Sequence, residues 1–318
     1  LMFADDVLVG SRAHPPTLQN IMQQLADFQA CFGLTTNPSK SQAIYGGCSG
    51  ELLDACQQIT GFGQGQLSLR YLGVPLISSR LTKVECRSLV EKITSKVHLW
   101  STRSISYAGR GQVINTVLFG TLNFWASIFI LPQEVLDQFN RICRNYLWGG
   151  KADYVKTPYV AWQKMCLPKK FGGLGFKNAQ LWNTACIAKL IWKISKKKDT
   201  LWIQWIHSKY LKTQDIWSYQ MPSECSWYWK KLVRVRDRLK LNWPWHNTSS
   251  FSVSECYLWL LGNHAVSPWT SVIWARATTP RHSFISWVCM HGKLPVLDRL
   301  ARFNETQDTT CGFREALP

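Results

Sequence analysis

Asp5 and Asp6 stand side by side in LMFADDVLVG, the first ten residues, between two short apolar segments. Two like charges this close repel unless a cation sits between them. In a regular strand, neighbouring side chains point to opposite faces, whereas at a tight turn both carboxylates can approach one locus. Apolar run, acids, apolar run is the pattern of a β-hairpin with the acids at its tip. A hard cation such as Mg²⁺ accepts one or two carboxylates together with phosphate oxygens. Two such ions stabilise the attacking and leaving oxygens of a phosphoryl transfer. A solvated acidic turn is the plain alternative.

The rest of the chemistry is cationic. The 318 residues carry 37 Lys and Arg against 19 Asp and Glu, a net charge of +18. Such a surface attracts polyanions, either nucleic acid or an acidic membrane. No run of about 20 apolar residues is present for a spanning helix, and no basic flank marks a signal peptide. Nucleic acid is therefore the expected partner, with no membrane. The 11 cysteines are odd in number and irregularly spaced, without a CxxC. They indicate a reducing, intracellular location, nucleus or cytoplasm, and not secretion. Most read as small core residues, and most of the 17 Trp as core anchors rather than base-stacking platforms.

Positioning these groups falls to a recognisable series of elements. After the hairpin, Leu18, Ile21, Met22, Leu25, Phe28 and Phe32 recur at helical steps, with Pro15 and Pro16 at the start and Gly33 at the end. A turn follows at Asn37-Pro38-Ser39, then a strand-like SLRYLGVPL. From Leu81 a basic amphipathic helix is expected, with Leu81, Val84, Leu89, Ile93 and Val97 on its apolar face. Further helices are expected over 106–130, 134–148, 178–212 and 225–240, with loops at 149–158 and 168–175 and a boundary near 242–248. The fold class is α+β at the start and mainly α thereafter.

The ordered blocks FADD, GLTTNPSKS, RYLGVPL, HLWSTRSISYAGRGQVINTVLFGTLNFW, LPQEVLDQFNRICRNYLWGG and AWQKMCLPKKFGGLGFKNAQLWNTACIAKLIWKI closely resemble the reverse transcriptase of plant non-LTR, LINE-type retrotransposons. FSVSECYLWLL and PRHSFISWVCMHGKLPVLDRLARF resemble the zinc-binding-like segment of those elements, so the resemblance covers nearly the whole chain. It implies a palm portion over 1–80, a helical thumb over 81–150, a Trp- and Lys-rich connecting region over 151–245 and a zinc-binding-like region over 246–318. It also implies RNA and DNA, as template and primer, for partners.

By this resemblance Asp5 is the principal ligand of Mg²⁺ or Mn²⁺ and Asp6 a weaker one. Lys40 corresponds to a lysine beside the leaving pyrophosphate, where a cation supplies charge or a proton; a solvated turn lysine reads equally well. Tyr71 and Gly73 correspond to the segment that holds the primer end, although a tight turn beside a strand explains Gly73 as well. Lys83, Arg87, Lys92, Lys96, Arg103 and Arg110 are placed to track phosphates without reading sequence. Lys193, Lys196, Lys197 and Lys198 suit a helix C-terminus.

The family's polymerase also needs an aspartate on an earlier strand and the fingers, which this sequence does not contain. Asp27, Asp54 and Asp137 lie in helix-like contexts and do not replace that strand. The expectation is therefore a catalytically incompetent portion of such an enzyme. The alternatives are a non-catalytic nucleic-acid-binding module or an unstable relic. Structural zinc sites want four N or S ligands, often opening with CxxC. Cys311 is followed three residues later by Arg314, and Cys289 and His291 have no evident partners, so an incomplete zinc site is expected.

Overall fold

The computed structural model describes residues 2–3, 5–67, 69–153, 156–246, 248–294 and 296. The chain divides into two compact units, Leu1–Ser79 and Arg80–Pro318.

The first unit holds short strands and two helices. β1 (Met2–Phe3) and β2 (Asp6–Val7) form the antiparallel hairpin, with Phe3 opposite Asp6. α1 (Pro15–Phe32) begins with proline in its first turn and stops at Gly33, whose φ of 68° lets its N–H reach the Gln29 carbonyl. β3 (Gln42–Ala43) pairs in parallel with β4 (Gly63–Gln64), and α2 (Glu51–Thr60) is the crossover between them. β5 (Arg70–Tyr71) and β6 (Val74–Pro75) form a second hairpin around Leu72 and Gly73. Both turn residues have positive φ, 51° and 80°, as a type I′ turn demands.

The apolar stripe expected on α1 exists, but its burial is partial. Leu18, Ile21, Met22 and Leu25 are half-buried, while Phe28 and Phe32 are exposed. Among the described residues of this unit, only Cys56, Val74 and Pro75 are buried.

The second unit is helical and carries a large core. α3 (Arg87–Ser101) buries Leu89, Ile93 and Val97. It starts six residues later than the periodicity from Leu81 suggests. The reason is local: the backbone N–H and hydroxyl of Thr82 donate to the Glu85 carboxylate, forming a separate turn before the helix. Val84 consequently lies off the apolar face and is exposed. α4 (Tyr107–Val113) passes through a π-helical turn at Ile114–Leu118 into α5 (Phe119–Ala126). α6 (Gln133–Gly149) buries Val135, Leu136, Phe139, Ile142, Cys143, Tyr146 and Leu147 and is ended by Gly150 at φ 78°.

α7 (Trp162–Met165) is a single turn followed by a 3₁₀ turn at Lys169–Phe171. α8 (Ala179–Ser195) is buried nearly all round, as befits a central helix. Asn178 caps its start, accepting from the N–H groups of Gln180 and Leu181. Its buried Asn183 donates to the carbonyls of Ala126 and Phe129 and accepts from the Leu131 N–H, fixing the α5–α6 connection.

The helix expected over 178–212 is broken after Ser195. α9 (Leu201–Ile206) restarts at the Thr200 cap and runs into a π turn at His207–Leu211. α10 (Trp227–Lys240), α11 (Val253–Leu261), α12 (Thr270–Ile273) and α13 (Pro280–Met290) complete the unit. The described residues are thus mostly helical with a few short strands, an α+β arrangement at the coarse level.

Trp148, Trp229 and Trp287 are among the largest fully buried side chains, whereas Trp202 and Trp205 are exposed. Indole is a core anchor at the first three positions.

Candidate nucleic-acid interface

Asp5 lies in the hairpin turn and Asp6 is the first residue of the returning strand, both exposed. Asn37 builds the next turn: its side-chain carbonyl accepts from the Ser39 N–H and hydroxyl, and its backbone carbonyl from Lys40 and Ser41. Lys40 is thereby held exposed. Tyr71 is half-buried, and Gly73 occupies the second turn position of the β5–β6 hairpin. A Cβ at Gly73 would meet nothing within 4 Å, so its glycine serves the turn's φ rather than clearance. The three strand pairs form separate two-stranded ladders among the described residues. Asp5 and Asp6, Lys40, and Tyr71 therefore do not share one sheet.

Asp5 and Asp6 are acid donors suited to a hard cation. Among the described residues, however, no three of His, Cys, Asp and Glu gather where an ion could sit.

The basic positions divide into two groups. Lys83, Arg87, Lys92 and Arg103 are exposed, with the Arg103 guanidinium over the Trp100 ring at 5.1 Å. Lys96 and Arg110 are half-buried and engaged within the protein. Lys96 Nζ donates to the Thr121 hydroxyl at 2.8 Å. Arg110 donates to the Leu147 carbonyl at 3.2 Å, near the C-terminus of α6. Lys196 likewise donates to the His246 carbonyl, and Lys198 lies over Trp192.

One ion pair is present among the described residues, Arg236 with Asp237. The buried Arg236 also donates to the carbonyls of Ile216 and Tyr219. Among the described residues almost all the remaining cationic side chains lack an acidic partner within salt-bridge distance. Arg141 and Arg144, which the sequence reading did not select, belong to this uncommitted set. They are three apart on α6 and face a cleft against α7 and α8. Their spacing on one helix face was the available signal.

The C-terminal part is bound directly to the helical body. The Trp287 indole N–H donates to the Gly172 carbonyl at 2.8 Å, and His291 Nε2 lies 3.0 Å from the same oxygen. The Tyr257 hydroxyl accepts from the Asn178 N–H, and the Ser267 N–H donates to the Lys170 carbonyl.

Residues 251–315 match the sequence-family model described as zinc-binding in reverse transcriptase. That stretch of the chain is thus similar to a segment found in reverse transcriptases. The chain is 33% identical over 137 residues to a putative ribonuclease H protein of Arabidopsis thaliana, covering 43% of this chain and 22% of that protein. It is 26% identical over 114 residues to an uncharacterized mitochondrial protein of the same plant, covering 36% of this chain and 74% of the relative. The chain thus spans about a fifth of the length of the first relative.

The described sulfur and imidazole donors of this segment are Cys256, His264, His282, Cys289 and His291, and no three of them gather at one place. Cys256 is buried, and that burial pushes its thiol up to about 12, which disfavours the thiolate a zinc ligand must supply. Cys289 is exposed, and His264 and His291 each have Nε2 against a backbone carbonyl, which leaves Nδ1 of each ring free. Cys311 lies outside the described residues.

Proposed function

We propose that the chain is a portion of a LINE-type RNA-directed DNA polymerase that binds RNA and DNA through its basic helices and does not extend a primer by itself. In this reading residues 1–80 are the C-terminal part of the palm and 81–150 the thumb. Residues 151–245 are a connecting region and 246–318 a zinc-binding-like region. Asp5 and Asp6 are offered to Mg²⁺ or Mn²⁺. The observation that carries the reading is the match of residues 251–315 to zinc-binding in reverse transcriptase. The order of FADD, NPSK and YLG before it supports the same ancestry.

Binding follows from charge. A net +18 with one ion pair among the described residues leaves cations free to displace counterions from phosphates. Lys83, Arg87, Lys92 and Arg103 face solvent and suit such contacts. Each phosphate neutralised adds about −0.9 to the slope of log affinity against log salt on duplex DNA. Two carboxylates on one hairpin are too few to grip a metal pair, so polymerisation would require a further acid from another segment.

Anisotropy of a labelled RNA–DNA hybrid, titrated at several salt concentrations, tests the binding. A steep loss of affinity with salt is expected, and a flat response overturns the reading. Primer extension with Mg²⁺ or Mn²⁺ tests the rest, with no incorporation expected. Incorporation abolished by Asp5→Asn would keep the ancestry and overturn the inactivity. The second reading, a basic module with no part in polymerisation, is favoured by the uncommitted cations. It predicts that Asp5→Asn leaves binding in Mg²⁺ unchanged.

A further inference from the structure

α6 presents Asp137, Asn140, Arg141 and Arg144 at helical steps on one side, opposite Trp162 and Gln163 of α7 and the start of α8. The cleft between them has a volume of about 630 Å³. That falls within the roughly 300–1,000 Å³ typical of small-ligand sites. Its polar groups are arranged in a chain. Asn140 Nδ2 donates to Gln180 Oε1 at 3.2 Å, Gln180 Nε2 donates to Asp137 at 2.7 Å, and Gln133 donates to the same carboxylate oxygen at 3.0 Å.

Two kinds of group are left over. Neither Arg141 nor Arg144 makes an ion pair or hydrogen bond among the described residues. Asn140 Oδ1 and the indole N–H of Trp162 are shut off from water without a partner, and Trp162 is only 6% exposed. Unpaired buried polar atoms are unfavourable.

The set as a whole selects the ligand class. Arginines match phosphate oxygens, and side-chain amides match the donor and acceptor edge of a base. A lone anion would leave the exposed Gln163 amide unused and would meet the Asp137 carboxylate. We propose that this cleft takes one nucleotide unit, with its phosphate on Arg141 and Arg144 and its base edge on Gln163 and, in exchange for the hydrogen bond between them, on Asn140 and Gln180. The unit comes from a single strand or from a free nucleotide, and the cleft is separate from the α3 surface proposed above.

The full chain is titrated by anisotropy against labelled single-stranded RNA dodecamers of A, C, G and U, with AMP, GMP and inorganic phosphate as competitors. The variant R141A/R144A should bind every dodecamer at least tenfold more weakly, with a salt slope shallower by about 0.7, the share of one phosphate on a single strand. N140A/Q180A should change the ranking of the four dodecamers and leave the slope unchanged. Displacement by AMP or GMP, but not by phosphate, identifies free nucleotide as an occupant. Displacement by polynucleotide alone identifies a strand.

Wild-type affinity and slope in R141A/R144A overturn the proposal, and so does displacement by phosphate as readily as by nucleotide. R141Q/R144Q, which keeps side-chain length, repeats the test if the alanine variant melts early. Loss of binding in K83A/R87A/K92A with full binding in R141A/R144A would retain nucleic-acid binding and discard the cleft.

Discussion

Gly173 lies so close to the carbonyl of Leu167 that a Cβ built on it would overlap both the carbonyl oxygen and carbon. The obstacle is backbone, held by its own hydrogen bonds: the Gly175 N–H donates to the same Leu167 oxygen. Gly172, beside it, has φ of 83° and ends the preceding 3₁₀ turn. The FGGLG stretch is therefore fixed by clearance and backbone conformation together.

Gly173→Ala should destabilise the second unit by about 3 kcal/mol or more, because no flexible side chain can yield. Gly120→Ala is the matched control. It sits exposed in α5 with nothing within 4 Å of a Cβ, and helix propensity alone predicts a gain of about 1 kcal/mol. Denaturant melts of the two variants should move in opposite directions.

Leu72 carries φ of 51° at the first position of the β5–β6 turn, where a bulky L-residue is disfavoured. Asparagine before glycine is the preferred pair for this turn. Leu72→Asn should stabilise the hairpin by about 1 kcal/mol, seen as slower amide exchange over residues 70–75. Unchanged exchange would mean that the turn relaxes readily.

Cysteine reactivity should follow burial. Desolvation pushes the thiols of Cys86, Cys166 and Cys256 up to about 12 and that of Cys186 to about 11. Cys31 and Cys289 are exposed. With iodoacetamide at pH 8 and peptide mapping, Cys31 and Cys289 should label first, and the four buried thiols only after denaturation. Early labelling of Cys166 or Cys256 would show that the second unit opens locally.

The turn before α3 should give stability a pH dependence. The Thr82 hydroxyl, aided by its backbone N–H, holds the Glu85 carboxyl below its ordinary 4.5. A lowered folded value stabilises the charged form. The contribution is complete above the unfolded value and fades as pH falls through the folded one. Stability measured from about pH 6 down to pH 3 should fall less steeply in Glu85→Gln than in the parent. Parallel curves would remove Glu85 from the account.

Much of this architecture was legible because local signals act alone. Proline and glycine bracket α1, the apolar steps of α6 match its buried face, and the pattern around Asp5 and Asp6 marks their hairpin. The start of α3 was not, because Thr82 and Glu85 close a turn that helical periodicity runs straight across. The role of Arg110 was hidden as well: an arginine among basic residues reads as solvent-facing until the Leu147 carbonyl arrives from 37 residues away. The cleft on α6 brings Asn140, Trp162 and Gln180 together from separate stretches, and no spacing along the chain encodes that meeting.

The shared hold of Trp287 and His291 on the Gly172 oxygen bears on how the polypeptide can be dissected. A family border drawn at residue 251 is a line in sequence, not a perforation in the protein. A piece expressed from Phe251 onward would arrive with an indole, an imidazole and a phenol whose partners had been left on the other side of the cut.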